Sequence, residues 1–341
     1  MCHPRTIEIV GGGLAGLSLG IALRHEGVPV TIIEAGDYPR HRACGEFIAG
    51  LAPATIARLH LESALSGALV HRHVDWFISG NPPRTQPLPA PALGISRLRL
   101  DARLAETFEA LGGELRRRTR VIDDQHQAGR VFALGRRRAS ASRWIGLKVH
   151  ARNLPLRREL ELHLGDGGYV GLARIEDDHV NICGLFQRDA LSASGPELLV
   201  RYMRAIGLAE LATRVEAAEL EPASFCAVAA LDFSRVMGQA NEIRLGDAAA
   251  MIPPFTGNGM AIAFQSAEVA LEPLVAYATG AANWTATCAV TNAALRGRFR
   301  LRFATASALH PFLLQRRSQR WLGLLGRARL LPLRALYAAL H

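Results

Sequence analysis

Apolar positions along this chain change period twice. Ile7, Ile9 and Val10 form a short strand-like run that ends in glycine, residues 17–25 continue at helical spacing, and residues 28–33 make a second apolar stretch that stops at Glu34. This order predicts a strand, helix and strand in succession. A polar loop over 38–47 then leads into an expected helix over 52–65, followed by a strand over 70–79. Pro82, Pro83, Pro87, Pro89 and Pro91 are expected to break regular structure, and Asp101 reads as the N-cap of a helix over 101–111 closed by Gly112 and Gly113. The period then shortens. Segments 145–151, 159–164, 169–175 and 179–186, separated by Gly and Asp turns, read as four neighbouring antiparallel strands, one face of which can carry a substrate pocket. Helical spacing returns over 196–206 and dominates after Gly259.

A length of 341 residues is enough for one large or two interleaved domains, and 49% hydrophobic with 21% charged residues marks a globular chain. The formal charge of +10 suggests nucleic acid at first sight. Lys148 is the only lysine, however, and the arginines run along the chain without an aromatic-rich basic module, so no nucleic-acid partner is expected. Cys2, Cys44, Cys183, Cys226 and Cys288 are odd in number and widely separated without a C-x-x-C, which predicts neither a disulfide framework nor a metal site. No basic and apolar leader precedes the first strand and no run of about 18 apolar residues occurs, so a cytoplasmic location is expected.

The first glycine cluster carries chemistry. Gly11, Gly13 and Gly16 fit G-x-G-x-x-G between a strand and a helix, where they permit the tight turn, the approach of Leu14 and Ala15 backbone to a diphosphate, and close helix packing. Glu34 ends the second strand, where a carboxylate accepts from a ribose hydroxyl and repels a 2′-phosphate; the site therefore suits FAD or NAD better than NADP. Arg40 and Arg42 in the next loop are either diphosphate clamps or solvated charges.

A second glycine-rich loop, over 246–259, joins an apolar strand to a long helix. It leaves free N–H groups near Gly259, Met260 and Ala261, which suit the electron-rich edge of a reduced flavin better than nicotinamide. Asp247 at the strand end can accept from ribityl hydroxyls.

These two motifs, in this order, resemble the FAD-dependent family that includes aromatic hydroxylases, geranylgeranyl reductases and flavin halogenases. Gly11, Gly13, Gly16 and Glu34 match its first motif; Gly246, Asp247, Pro253, Pro254, Gly257, Asn258 and Gly259 match its Gly-Asp motif and flavin loop. Ser96 and Arg97 resemble its arginine-bearing segment, and Arg42, Cys44 and Gly45 its basic-x-Cys-Gly segment, with Cys44 the one weak candidate near the flavin ring. The resemblance implies an α/β fold: a Rossmann-like, glutathione-reductase-like FAD-binding domain (1–67, 94–143, 236–295), interleaved with an antiparallel-sheet substrate domain (68–93, 144–235) and followed by C-terminal helices (296–341). It also implies FAD as cofactor and NAD(P)H as possible electron donor.

Three departures narrow the chemistry. Leu134 stands where the family usually has aspartate, which puts nicotinamide-driven reduction in doubt; the stretch 121–130 is short; and the paired-tryptophan halogenase signature and an early lysine are absent. The resemblance then implies a monooxygenase, working through a flavin C4a-hydroperoxide on a hydrophobic aromatic or polyketide-like molecule. The alternatives are a reductase saturating C=C bonds and a flavin-binding protein with degraded activity. His150 and Arg152 alternate on one strand and either line a pocket or mark a solvated sheet face, as do Tyr169 and Asn181. The arginine-rich tail over 296–341 reads first as helices covering the FAD domain with solvated arginines, and second as a peripheral membrane contact.

Overall fold

The first apolar run becomes β1 (Ile7–Val10), the glycines open α1 (Leu14–His25), and the second run becomes β2 (Val30–Ile33). Gly11 makes this turn possible: its φ is +111°, and a Cβ there would fall 2.3 Å from the Ala133 carbonyl oxygen. The computed structural model describes residues 3–78, 81–121, 127–136, 142–189, 191–233, 241–327 and 333–340. Cys2, and parts of the expected segments 70–79, 121–130 and 296–341, lie outside the described residues.

The chain continues through β3 (Phe47–Ile48), α2 (Pro53–Arg58), β4 (Leu69–Ile78), β5 (Arg84–Gly94), α3 (Arg97–Ala110), β6 (Glu114–Arg116) and β7 (Arg130–Phe132). Next come β8 (Trp144–Arg152), β9 (Leu160–Gly165), β10 (Gly168–Arg174), β11 (Val180–Gln187), α4 (Gly195–Ala205), α5 (Ala209–Glu216) and β12 (Glu219–Ala229). After β13 (Ile243–Arg244) the chain is helical: α6 (Gly259–Ala278), α7 (Trp284–Leu314), α8 (Arg316–Arg327) and α9 (Leu333–Leu340).

Two sheets result. Five parallel strands in the order β13-β7-β1-β2-β6 form the Rossmann-like layer, with α1 packed against α3 and α6 on one face. Eight strands in the order β12-β8-β11-β10-β9-β4-β5-β3 form a second sheet, antiparallel except where β4 meets β9. Odd-numbered side chains of β8, Leu147, Val149 and Ala151, pack on Leu199, Tyr202 and Met203 of α4 and Leu211 and Val215 of α5. The opposite face of that sheet is thereby free to line a cavity.

The four antiparallel neighbours expected over 145–186 are present, ordered β8-β11-β10-β9. Two local expectations are corrected and one holds in part. Pro82 and Pro83 lie in the irregular segment between β4 and β5; Pro87, Pro89 and Pro91 lie inside β5, but there the pairing with β4 jumps from His71–Ala92 to His73–Pro87, so the strand continues while its ladder is interrupted. The helix expected over 52–65 is only α2, six residues long, with turns after it. The helix expected from Asp101 starts a turn earlier, because Ser96 Oγ accepts from Arg99 N–H at 3.1 Å and caps α3.

Candidate functional site

A cavity of about 1180 Å³ runs between the two sheets. Its walls include Gly13, Leu14, Ala15, Glu34, Arg42, Cys44, Gly45 and Arg97 at one end, and Gly246, Asp247, Pro254, Gly257, Gly259 and Met260 further along. Gly11, Gly16 and Asn258 stand behind this surface. Gly11 and Gly16 pack on each other, a Cβ on Gly16 falling 2.0 Å from the Gly11 carbonyl oxygen, and the Asn258 amide donates to the Leu340 carbonyl.

Both glycine loops end in helix N-termini that no side chain caps. Gly13 precedes α1 and Asn258 precedes α6, and neither contributes a side-chain hydrogen bond to the first turn. The first-turn N–H groups of each helix therefore lack intrahelical partners and present partial positive charge. Gly13 and Gly259 each have nothing within 4 Å of where a Cβ would stand, so the backbone is open for a ligand to approach closely.

Glu34 is buried and held in place. Its carboxylate accepts from Gly12 N–H at 2.8 Å and Gly36 N–H at 2.9 Å, and pairs with Arg40 at 3.1 Å. Arg40 thus serves Glu34 and does not line the cavity. Arg42 lines it and reaches Asp101 at 3.3 Å; Asp101 also takes Arg97 bidentately, at 2.7 and 2.8 Å. Asp101, nominated from sequence as a helix cap, is instead the buried carboxylate that orients two cavity arginines. Burial pushes the Cys44 thiol up, so it stays protonated and packed, although Arg97 lies beside it. Burial also raises the Asp247 carboxyl to about 6.

A buried charge cluster underlies the 42–47 segment, and no local pattern of residues signals it. Glu46 adopts φ +53° and is fully buried; its carboxylate receives His150 Nε2 at 2.6 Å, Arg97 N–H at 3.0 Å and Lys148 Nζ at 3.4 Å. Burial drives the Glu46 carboxyl up, but His150 and Lys148 outweigh it and hold it below the usual range. The solvated-face reading of His150 is thereby corrected, whereas Arg152 is exposed. Asn181 Nδ2 donates to the Cys44 carbonyl at 3.0 Å and so props the same segment.

The far end of the cavity is apolar and aromatic. Alternate residues of β4 (Val74, Trp76, Ile78), β9 (Leu160, Leu162, Leu164) and β10 (Tyr169, Gly171, Ala173) face it. Period-two alternation marked these strands, but not which face would be enclosed. Phe233, Phe255, Phe312, Leu313 and Trp321 close the space, and Leu134 stands half-exposed at its rim. Behind them His310 stacks on Phe255 at 5.9 Å and lies within 5.2 to 6.4 Å of Trp144, Phe233 and Tyr169. Burial lowers the His310 pKa to about 4, so the ring is neutral at physiological pH.

Residues 9–46 match the family model of NAD(P)-binding Rossmann-like domains. A menaquinone reductase of Mycolicibacterium smegmatis is 29% identical over 135 residues, 38% of this chain, and the match spans about a third of that protein's length. Among solved structures, the flavin-dependent brominase Bmp2 superposes with a TM-score of 0.75 at 21% identity, covering 99% of this chain and 93% of its own. Pseudomonas aeruginosa PqsL, solved with 2-aminobenzoylacetate, superposes with a TM-score of 0.74 at 18% identity, covering 93% and 98%. The fold is that of flavin-dependent monooxygenases and halogenases.

The residues present fit FAD. An elongated cavity with an acid and two arginines near one uncapped helix start, a second uncapped helix start further along, and a buried carboxyl between them matches a dinucleotide whose two halves differ in polarity.

Proposed function

We propose that this chain is an FAD-dependent oxidoreductase, most specifically a monooxygenase that hydroxylates or epoxidises a hydrophobic aromatic or polyketide-like molecule in the cytoplasm. The observation that carries the reading is that Gly13 and Gly259, at the starts of two helices, line one cavity that continues into an aromatic chamber. Gly13, Leu14, Ala15, Arg42 and Arg97 would hold the diphosphate, Glu34 a ribose, Asp247 the ribityl chain, and the loop from Pro254 through Gly257 to Met260 the ring. When bound and reduced, FAD would supply the electrons and the oxygen activation.

The chain's own residues would bind, orient and exclude water. Leu162, Leu164, Phe233, Phe255 and Leu313 offer an apolar surface that desolvates the substrate. Burial holds the Tyr169 hydroxyl protonated, which keeps it available as a neutral hydrogen-bonding group at the chamber wall. Halogenation is disfavoured, because the chain's one lysine is buried against Glu46 and does not line the cavity.

A second reading, reduction of a C=C bond, is favoured by the likeness to the menaquinone reductase. Anaerobic incubation of the photoreduced protein with candidate quinones, enones and aromatic substrates separates the two. Product formed only after oxygen is admitted, carrying an added oxygen atom, supports the monooxygenase; saturated product formed without oxygen supports the reductase.

A further inference from the structure

The formal charge of +10 is concentrated at one end of the chain. Residues 273–341 contain ten arginines and no aspartate or glutamate, whereas the first 272 residues contain thirty basic and thirty acidic side chains and balance. The same stretch, which completes α6 and forms α7, α8 and α9, carries five of the eight large hydrophobic side chains that stand exposed among the described residues. Val290, Leu301 and Phe312 lie on α7 and Trp321 and Leu324 on α8; each is more than half exposed, Trp321 at 68%.

Spacing organises them. Val290, Leu301 and Phe312 are each eleven residues apart, close to three turns at about 3.6 residues per turn, so they share one stripe of α7. Ala294, Gly297 and Ala308 are exposed along the same line, and exposed Arg296 and Arg300 flank it. Arg316 and Arg317, also exposed, open α8 immediately before Trp321. Single exposed hydrophobics are ordinary, but a stripe on a segment whose only charged side chains are cations is not.

We propose that α7 and α8 dock this protein on an anionic lipid bilayer, lying in the plane of the interface. The cations match anionic headgroups, and the apolar stripe with its tryptophan matches the headgroup–acyl boundary. No helix among the described residues is long and apolar enough to cross a membrane, so the contact is with one leaflet. Nucleic acid would engage the arginines but would leave Val290, Leu301 and Leu324 without a role. The surface is also continuous with the cavity: Phe312, Ser318 and Trp321 belong to both. If the cavity acts as proposed above, its substrate is a lipid-soluble molecule that enters from the bilayer past these residues.

The test sediments the full-length protein, as purified with its flavin, with vesicles of phosphatidylcholine alone or mixed with phosphatidylglycerol, at low and moderate salt. Binding to the anionic vesicles is expected, weakening with salt and at least about tenfold weaker on phosphatidylcholine alone or in the Arg316→Gln/Arg317→Gln variant. A comparable loss is expected for Leu301→Ser/Leu324→Ser, whose residues do not line the cavity, with flavin content unchanged. Absence of binding to anionic vesicles overturns the proposal. So does binding indifferent to the Leu301→Ser/Leu324→Ser change, or full competition by a duplex oligonucleotide, since both mark nonspecific polyanion attraction. Vesicle binding by protein that holds no flavin would sustain the docking surface and refute the cavity's proposed role.

Discussion

Lys148 Nζ lies 3.4 Å from Glu46 Oε1, and neither side chain has any accessible surface. Every other basic residue of the chain, histidines aside, is arginine, so this compact ammonium is confined to the one place where it compensates a buried carboxylate behind the cavity wall. Removing one partner of such a pair typically costs about 3 to 5 kcal/mol, because the other charge is left buried. Lys148→Met is therefore expected to destabilise the fold near the lower end of that range, since His150 still holds Glu46 at 2.6 Å. Adding Glu46→Gln should recover part of the loss. Denaturant unfolding of the single and double variants checks this, and a neutral Lys148→Met would refute it.

Two glycines of the first turn should separate folding from ligand binding. A Cβ on Gly16 would lie 2.0 Å from the Gly11 carbonyl oxygen, whereas one on Gly13 meets nothing within 4 Å. Gly16→Ala should lose roughly 2 kcal/mol or more of stability, together with flavin binding. Gly13→Ala should keep wild-type stability within about 1 kcal/mol yet weaken FAD binding at least about tenfold, because its methyl group occupies the approach to the diphosphate. Thermal unfolding and flavin titration of both variants make the comparison.

Asp247 should make flavin affinity depend on pH. Burial raises its carboxyl to about 6, so without ligand the folded chain holds a proton there that the unfolded chain releases near 3.8, and this group's contribution to stability is lost as pH rises between those values. Ribityl hydroxyls favour the ionised carboxylate. FAD should accordingly bind more tightly as pH rises from about 5 to about 7, by up to about tenfold. In Asp247→Asn the dependence should flatten and affinity should fall. Fluorescence titration across that range is the readout.

His310 should contribute acid sensitivity. Folded His310 takes a proton only below about 4, while the unfolded chain takes it near 6.5, so stability is lost as pH falls through that window. The full effect is of order 3 kcal/mol. His310→Phe keeps a ring against Phe255 and removes the titration, so its unfolding free energy should fall less steeply between about pH 6.5 and pH 4. An identical pH profile for variant and wild type would contradict the assignment.

Much of the nucleotide end was legible because it is local. Ile7 through Glu34 form one contiguous strand–turn–helix–strand, and each residue's role depends on neighbours within a few positions. The second loop was legible for the same reason, and Gly246, Asp247 and Gly259 were nominated together. Burial and long-range pairing were not legible. Asp101 has the chemistry of an N-cap, but Ser96 takes that role and Asp101 is buried against Arg97 and Arg42. His150 alternates like a solvated position, yet Glu46, far away in sequence, covers it. Pro87, Pro89 and Pro91 interrupt the ladder with β4 as breakers do, yet β5 runs on through them because it lies near a sheet edge, which the sequence pattern does not reveal. The aromatic chamber draws Tyr169, Phe255 and Phe312 from three unrelated segments, a convergence that no local period encodes.

The most direct test of the central claim is titration of the flavin-free protein with FAD, followed by flavin absorbance and fluorescence, with NAD and NADP as competitors. The predicted result is saturation at one FAD per chain, undisturbed by either nicotinamide dinucleotide. Failure to bind flavin saturably, or displacement of FAD by NAD, would contradict it.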